Sequence, residues 1–114
     1  MSLPERQPVL DVVGPLTVKE VEHRVFHAAR SHHQFEASHR TWLEEDRSFF
    51  IRWHDSAPDS PLVIIGLVQV TPLPEMASQV RLLPFDEEAA APLKEALVRY
   101  AELLHKKLET EGFR

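Results

Sequence analysis

Leu62-Val63-Ile64-Ile65-Gly66-Leu67-Val68-Gln69-Val70-Thr71 is the longest apolar run of the chain, and Pro61 and Pro72 bound it on both sides. It is rich in β-branched residues, which reads as the central strand of a sheet. Alternate residues of a strand face opposite ways. Leu62, Ile64, Val68 and Val70 are therefore expected on one face, with Val63, Ile65 and Leu67 on the other. Both faces start apolar, and Gln69 and Thr71 turn the second face polar towards the end. One face calls for helices, and the other calls for partial cover, for which a second subunit is a natural source.

Outward from this run, Ser48-Phe49-Phe50-Ile51-Arg52-Trp53-His54 reads as the preceding strand, with Phe49, Ile51 and Trp53 on its apolar side. Residues 55–61 form a loop rich in Pro, Ser and Asp. Downstream, Pro72 to Met76 is a stiff connection, and Ser78 to Leu83 is a third strand with Val80 and Leu82 inward. Asp86, Glu87 and Glu88 suit the approach to a helix that begins near Ala91, buries Leu93, Ala96, Leu97, Tyr100, Leu104 and Leu108, and ends at Gly112. Upstream, Pro8 to Val13 is a short strand closed by the turn pair Gly14-Pro15. Thr17 then stands three residues before Glu20, the spacing of a capping box. Val18, Val21, Val25, Ala28 and Ala29 continue at helical spacing, and helices are expected at 17–30 and 34–46, with one unbroken helix as the alternative. The predicted order is β-α-α-β-β-β-α: an α+β fold with a three- to four-stranded antiparallel sheet and helices mainly on one face.

A chain of 114 residues accommodates one domain, here 8–114 after a loose tail at 1–7. Residues 1–6 lack a signal-peptide core and no apolar run reaches membrane-spanning length, which points to the cytoplasm and away from membranes. The chain has no cysteine, so disulfides, thiolate metal sites and cysteine nucleophiles are excluded. A net charge of −5 argues against nucleic acid as the main partner. The three glycines, Gly14, Gly66 and Gly112, are far apart, so no glycine-rich phosphate cradle exists. A Gly-x-Ser-x-Gly nucleophile elbow is also missing.

Five of the seven histidines, His23, His27, His32, His33 and His39, crowd into a short segment. His23 and His27 are four apart, share a face on a helix and are the candidate metal ligands. By helical angle they lie opposite the Val18/Val21/Val25 stripe, towards water, where a solvated histidine is the ordinary reading. Glu20/His23 and Glu36/His39 have the Glu-x-x-His spacing of carboxylate-bridged metal sites, but they face different sides of a helix. Arg24, Arg30, His33 and Arg40 form a second candidate, an anion or partner patch that gains charge as pH falls. The acid pairs Glu44/Glu45 and Glu87/Glu88 diverge on a helix and do not converge on one atom. Trp42, Trp53, Phe49 and Phe50 are candidates for lining a small apolar pocket between helix and sheet.

The element order is similar to the N-terminal half of the GNAT acetyltransferase fold, whose third meander strand leads into a Gly-rich loop for the coenzyme A pyrophosphate. The corresponding stretch here, Leu83-Pro84-Phe85-Asp86-Glu87-Glu88-Ala89, has no glycine and three acids, a departure that argues against coenzyme A. Residues 17–111 also resemble the α-β-β-β-α order of double-stranded-RNA-binding domains. At the start of the last helix, where that family is lysine-rich, this chain has Asp86, Glu87 and Glu88 with Lys94 as a lone base. The expectation is a non-enzymatic interaction module without cofactor that forms a homodimer or docks a protein partner. The alternatives are a small-ligand or metal-binding protein using residues 23–39, and a degenerate acetyltransferase-like domain.

Overall fold

A computed structural model describes residues 7–43, 46–57 and 59–114, without the side chains of residues 41–43 and 46. The elements run β1 (Leu10–Gly14), α1 (Val18–Arg30), β2 (Phe35–Leu43), β3 (Asp46–Trp53), β4 (Val63–Leu73), β5 (Ala77–Pro84) and α2 (Ala91–Glu109). The chain is thus α+β, but its order is β-α-β-β-β-β-α and its sheet has five strands, in the order β1-β5-β4-β3-β2. All neighbouring strands are antiparallel.

The added strand corrects the second helix expected at 34–46. Phe35 and His39 fall on one helical face, yet a spacing of four is also even, so the same two residues share one face of a strand. The pairings Phe35 with Trp53, Ala37 with Ile51 and His39 with Phe49 settle the choice by burying that face. Long-range pairing with β3 overrides a weak local preference.

Helix α1 begins as its sequence dictates. Thr17 Oγ1 accepts from the Glu20 backbone N–H at 3.3 Å, and Glu20 Oε2 accepts from the Thr17 N–H at 3.0 Å. Val21, Val25, Ala28 and Ala29 are its buried face. The helix carries the chain from the β1 edge to the β2 edge, and α2 returns beside it. Ala96, Leu97, Tyr100, Leu104 and Leu108 are buried as expected, whereas Leu93 is only half-buried. Val12, Phe49, Ile51, Val68, Val80 and Leu82 meet the helices from the sheet. Tyr100 ties the layers together: its hydroxyl donates to the Val25 carbonyl of α1 at 2.9 Å. Past α2, Phe113 is buried over Gly14, where an added Cβ would lie 2.4 Å from ring atoms. Arg114 exchanges backbone hydrogen bonds with Val13 at 2.9 and 3.0 Å and covers that part of the outer edge of β1.

The central strand departs from simple alternation. The register of β3 on β4 shifts between Ile51, opposite Gly66, and Arg52, opposite Ile64, so Ile65 is a bulge residue. One extra residue reverses which way the earlier part of the strand faces. Val63, Ile65, Val68 and Val70 therefore belong to the helix side, while Ile64, Leu67, Gln69 and Thr71 face away. Leu62 precedes the strand and is 44% exposed. Pro72 and Leu73, expected as connection, still pair with Ser78 and Ala77. Among the described residues, no helix is long and apolar enough to cross a membrane.

Candidate functional site

The histidine segment is divided between α1, the turn after it and β2. His23 and His27 lie one turn apart on the exposed side of α1. Among the described residues, no three His, Asp or Glu side chains come together to hold a metal ion. His32 and His33 stack in the turn, with ring centroids 5.1 Å apart, and His54 Nε2 lies 3.1 Å from the His33 carbonyl. Of the candidate anion patch, Arg24 is paired with Glu111 at 2.8 Å, which fastens α1 to the end of α2. Arg30 and His33 are exposed near the end of α1. Arg40 stands at a bulge of β2 and reaches Ser48 Oγ at 3.5 Å, on the side of the sheet away from α1. The four residues do not make one surface.

His39 has a different role from the one its spacing to Glu36 suggests. It faces α1, where the Glu22 carboxylate meets its Nε2 and also accepts from Arg47 Nη1 at 2.8 Å. A carboxylate only accepts, so Nε2 carries the proton. Glu22 is 16% exposed, and the rings of Phe26 and Phe49 lie 5.1 Å from that of His39. This cluster borders an open cleft of about 400 Å³ that also includes His23 and Arg30. Glu22 holds both bases, which clamps α1 to the β2–β3 hairpin, while Arg47 Nε stays buried without a hydrogen-bond partner among the described residues. Glu22→Gln is expected to lower unfolding free energy by about 1–2 kcal/mol, because Arg47 loses a charge-assisted bond in a half-buried place. Urea unfolding checks this: a shift of the midpoint without a change of slope is the expected result.

The aromatic residues do not form the pocket expected between helix and sheet. Phe49 and Trp53 are core residues on the helix side. Phe50 lies on the opposite face, and the Trp42 side chain lies outside the described residues. Glu44 and Glu45 also lie outside them, while Glu87 and Glu88 are exposed.

The face of the sheet turned from the helices is the larger feature. Phe50, Leu67 and Leu83 are direct cross-strand neighbours, a continuous apolar row over β3, β4 and β5. All three are only half-buried, as is Ile64 beside them. Phe85, 42% exposed, packs edge-on against Phe50 at 6.3 Å, and the Arg52 guanidinium lies 5.5 Å over the Phe50 ring. Ser48, Gln69, Arg81 and Asp11 form the next row, in which Arg81 pairs with Asp11 at 3.3 Å. The period-2 signal of β3 could have shown Phe50 facing outward. The Ile65 bulge, which brings Ile64 into line with Leu67, has its signal in Gly66, since an isolated glycine inside a strand often marks a bulge. An exposed apolar strip with a polar border is the ordinary form of a protein-docking surface. The outer edge of β2 is less suited to strand addition, because a bulge between His39 and Thr41 and the exposed charges Glu36 and Arg40 interrupt it. Comparison of the chain with protein-family models and with curated proteins gave no match.

Proposed function

We propose that this chain is a non-enzymatic interaction domain that works as a homodimer, two copies stacking the uncovered faces of their sheets. The observation that carries the reading is the apolar row Phe50–Leu67–Leu83, bordered by Ile64 and Phe85. Two amphipathic sheets bury such faces against each other about 10 Å apart. Five strands spaced ~4.8 Å apart and roughly 25 Å long offer on the order of 600 Å² of face, near the ~800 Å² that each partner buries in a stable complex. The border carries both signs, Asp11 and Glu36 against Arg40, Arg52 and Arg81, so an identical partner meets no one-signed field.

Sedimentation equilibrium of the full chain tests the reading. A mass twice that of the chain at micromolar concentration is expected. A single-chain mass up to the highest soluble concentration would overturn it.

A further inference from the structure

A second apolar feature lies on the helix side, away from the proposed dimer face. Val9, 39% exposed, and Val98, 48% exposed, stand on walls supplied by the approach to β1 and by α2. Between them is an open cavity of about 390 Å³, lined also by Pro84, Leu93 and Leu97. Its floor is Ile65, the residue the bulge adds to β4. Counted back from Val68 at regular alternation, Ile65 would face away from the helices; the bulge turns it under α2, where it is 5% exposed. Gly66 lets Leu97 down onto the sheet, since a Cβ there would lie 2.6 Å from Leu97 Cδ1.

We propose that this cavity binds a small uncharged aryl or alkyl molecule. Its volume falls within the roughly 300–1,000 Å³ of small-molecule sites, and such sites are lined mainly by apolar groups. The charged residues of its lining, Asp86, Glu87 and Lys94, are all exposed, so a charge held against Ile65 and Leu97, the buried part of the lining, would find no partner. In that lining the carboxylates of Asp86 and Glu87 outnumber the Lys94 ammonium, which disfavours an anion.

Fluorescence titration of the full chain with phenylnaphthylamine, an uncharged apolar probe, tests the proposal. Saturable binding of one probe per chain is expected. Ala89→Phe, which fills the cavity from a half-buried position, is expected to weaken it at least about tenfold. Val98→Lys, at an exposed wall position, is a second variant that leaves the core intact and is expected to do the same. Leu67→Glu, on the opposite face, is expected to leave binding unchanged whether or not the chain dimerises. The anionic analogue anilinonaphthalene sulfonate is expected to bind at least about tenfold more weakly than the neutral probe. The proposal is overturned if Leu67→Glu abolishes binding while Ala89→Phe and Val98→Lys do not, since the probe then sits on the sheet face. Tighter binding of the sulfonate also overturns it. So does binding seen only in a chain that begins at Gln7, since residues 1–6 are then the occupant.

Discussion

Tyr100→Ala lowers the unfolding free energy by about 3–5 kcal/mol, the range for truncating a large buried aromatic residue. Tyr100 is fully buried where α2 crosses α1, packs against Phe35 at 5.7 Å between ring centroids, and donates to the Val25 carbonyl. Its loss leaves a cavity between the helices that rigid strands cannot close. Against the ~5–15 kcal/mol that holds a domain together, this is a large share, and thermal unfolding reads it directly. The same side chain gives a pH signature. Burial raises the phenol far above the ordinary tyrosine range, so the folded state holds it protonated. The unfolded state ionises near pH ~10. The stabilisation is therefore fully present below that pH, and is lost at about 1.4 kcal/mol per pH unit above it until the folded pKa is passed. Tyr100 is the one tyrosine of the chain. Near-ultraviolet tyrosinate absorbance is accordingly expected to rise only when alkali unfolds the protein, in step with loss of circular dichroism. Tyr100→Phe removes this alkaline sensitivity at a cost of about 1 kcal/mol at neutral pH. Tyrosinate formation ahead of unfolding contradicts the buried assignment.

Leu67→Glu raises the dissociation constant of the proposed dimer by at least roughly 100-fold, equivalent to about 3 kcal/mol. Leu67 is the middle of the row between Phe50 and Leu83, and a two-fold interface there buries one new carboxylate from each copy. An unpaired charge in a desolvated contact costs about 2–5 kcal/mol. The folded monomer bears little of this, because Leu67 lies outside the helix-side core and is half-exposed without a partner copy. A monomeric variant with nearly unchanged monomer stability is the expected combination. A variant that stays dimeric places the contact elsewhere.

These two residues show what the sequence makes legible. Tyr100 sits in an uninterrupted stripe from Ala96 to Leu108, where period and burial agree, and the Thr17/Glu20 capping box marks α1 to the residue. Both signals are local. β2 is not legible in this way, since Phe35 and His39 satisfy helix and strand alike until β3 pairs with them. The bulge at Ile65 is marked only by the lone strand glycine beside it, Gly66, which fixes neither its register nor its direction, yet it determines which central-strand residues face the proposed partner and which line the cavity. The Glu22–His39–Arg47 cluster joins residues 17 and 25 positions apart in the chain, so no spacing rule reaches it. The histidine-rich stretch stands out by composition alone, and the fold distributes it over a helix face, a turn and a strand. A central strand too apolar for its helices to cover points to a second apolar sheet face, but simple alternation puts Ile65 and Leu67 on one side of it; in the fold they part.

The most direct test of the dimer is an isotope-filtered NOE experiment on an equal mixture of labelled and unlabelled chains. The proposed packing predicts intermolecular contacts from the Phe50 ring to the methyl groups of Leu67 and Leu83, none of which involve α2. Intermolecular contacts confined to α1 or α2, or to the β2 edge, would contradict it.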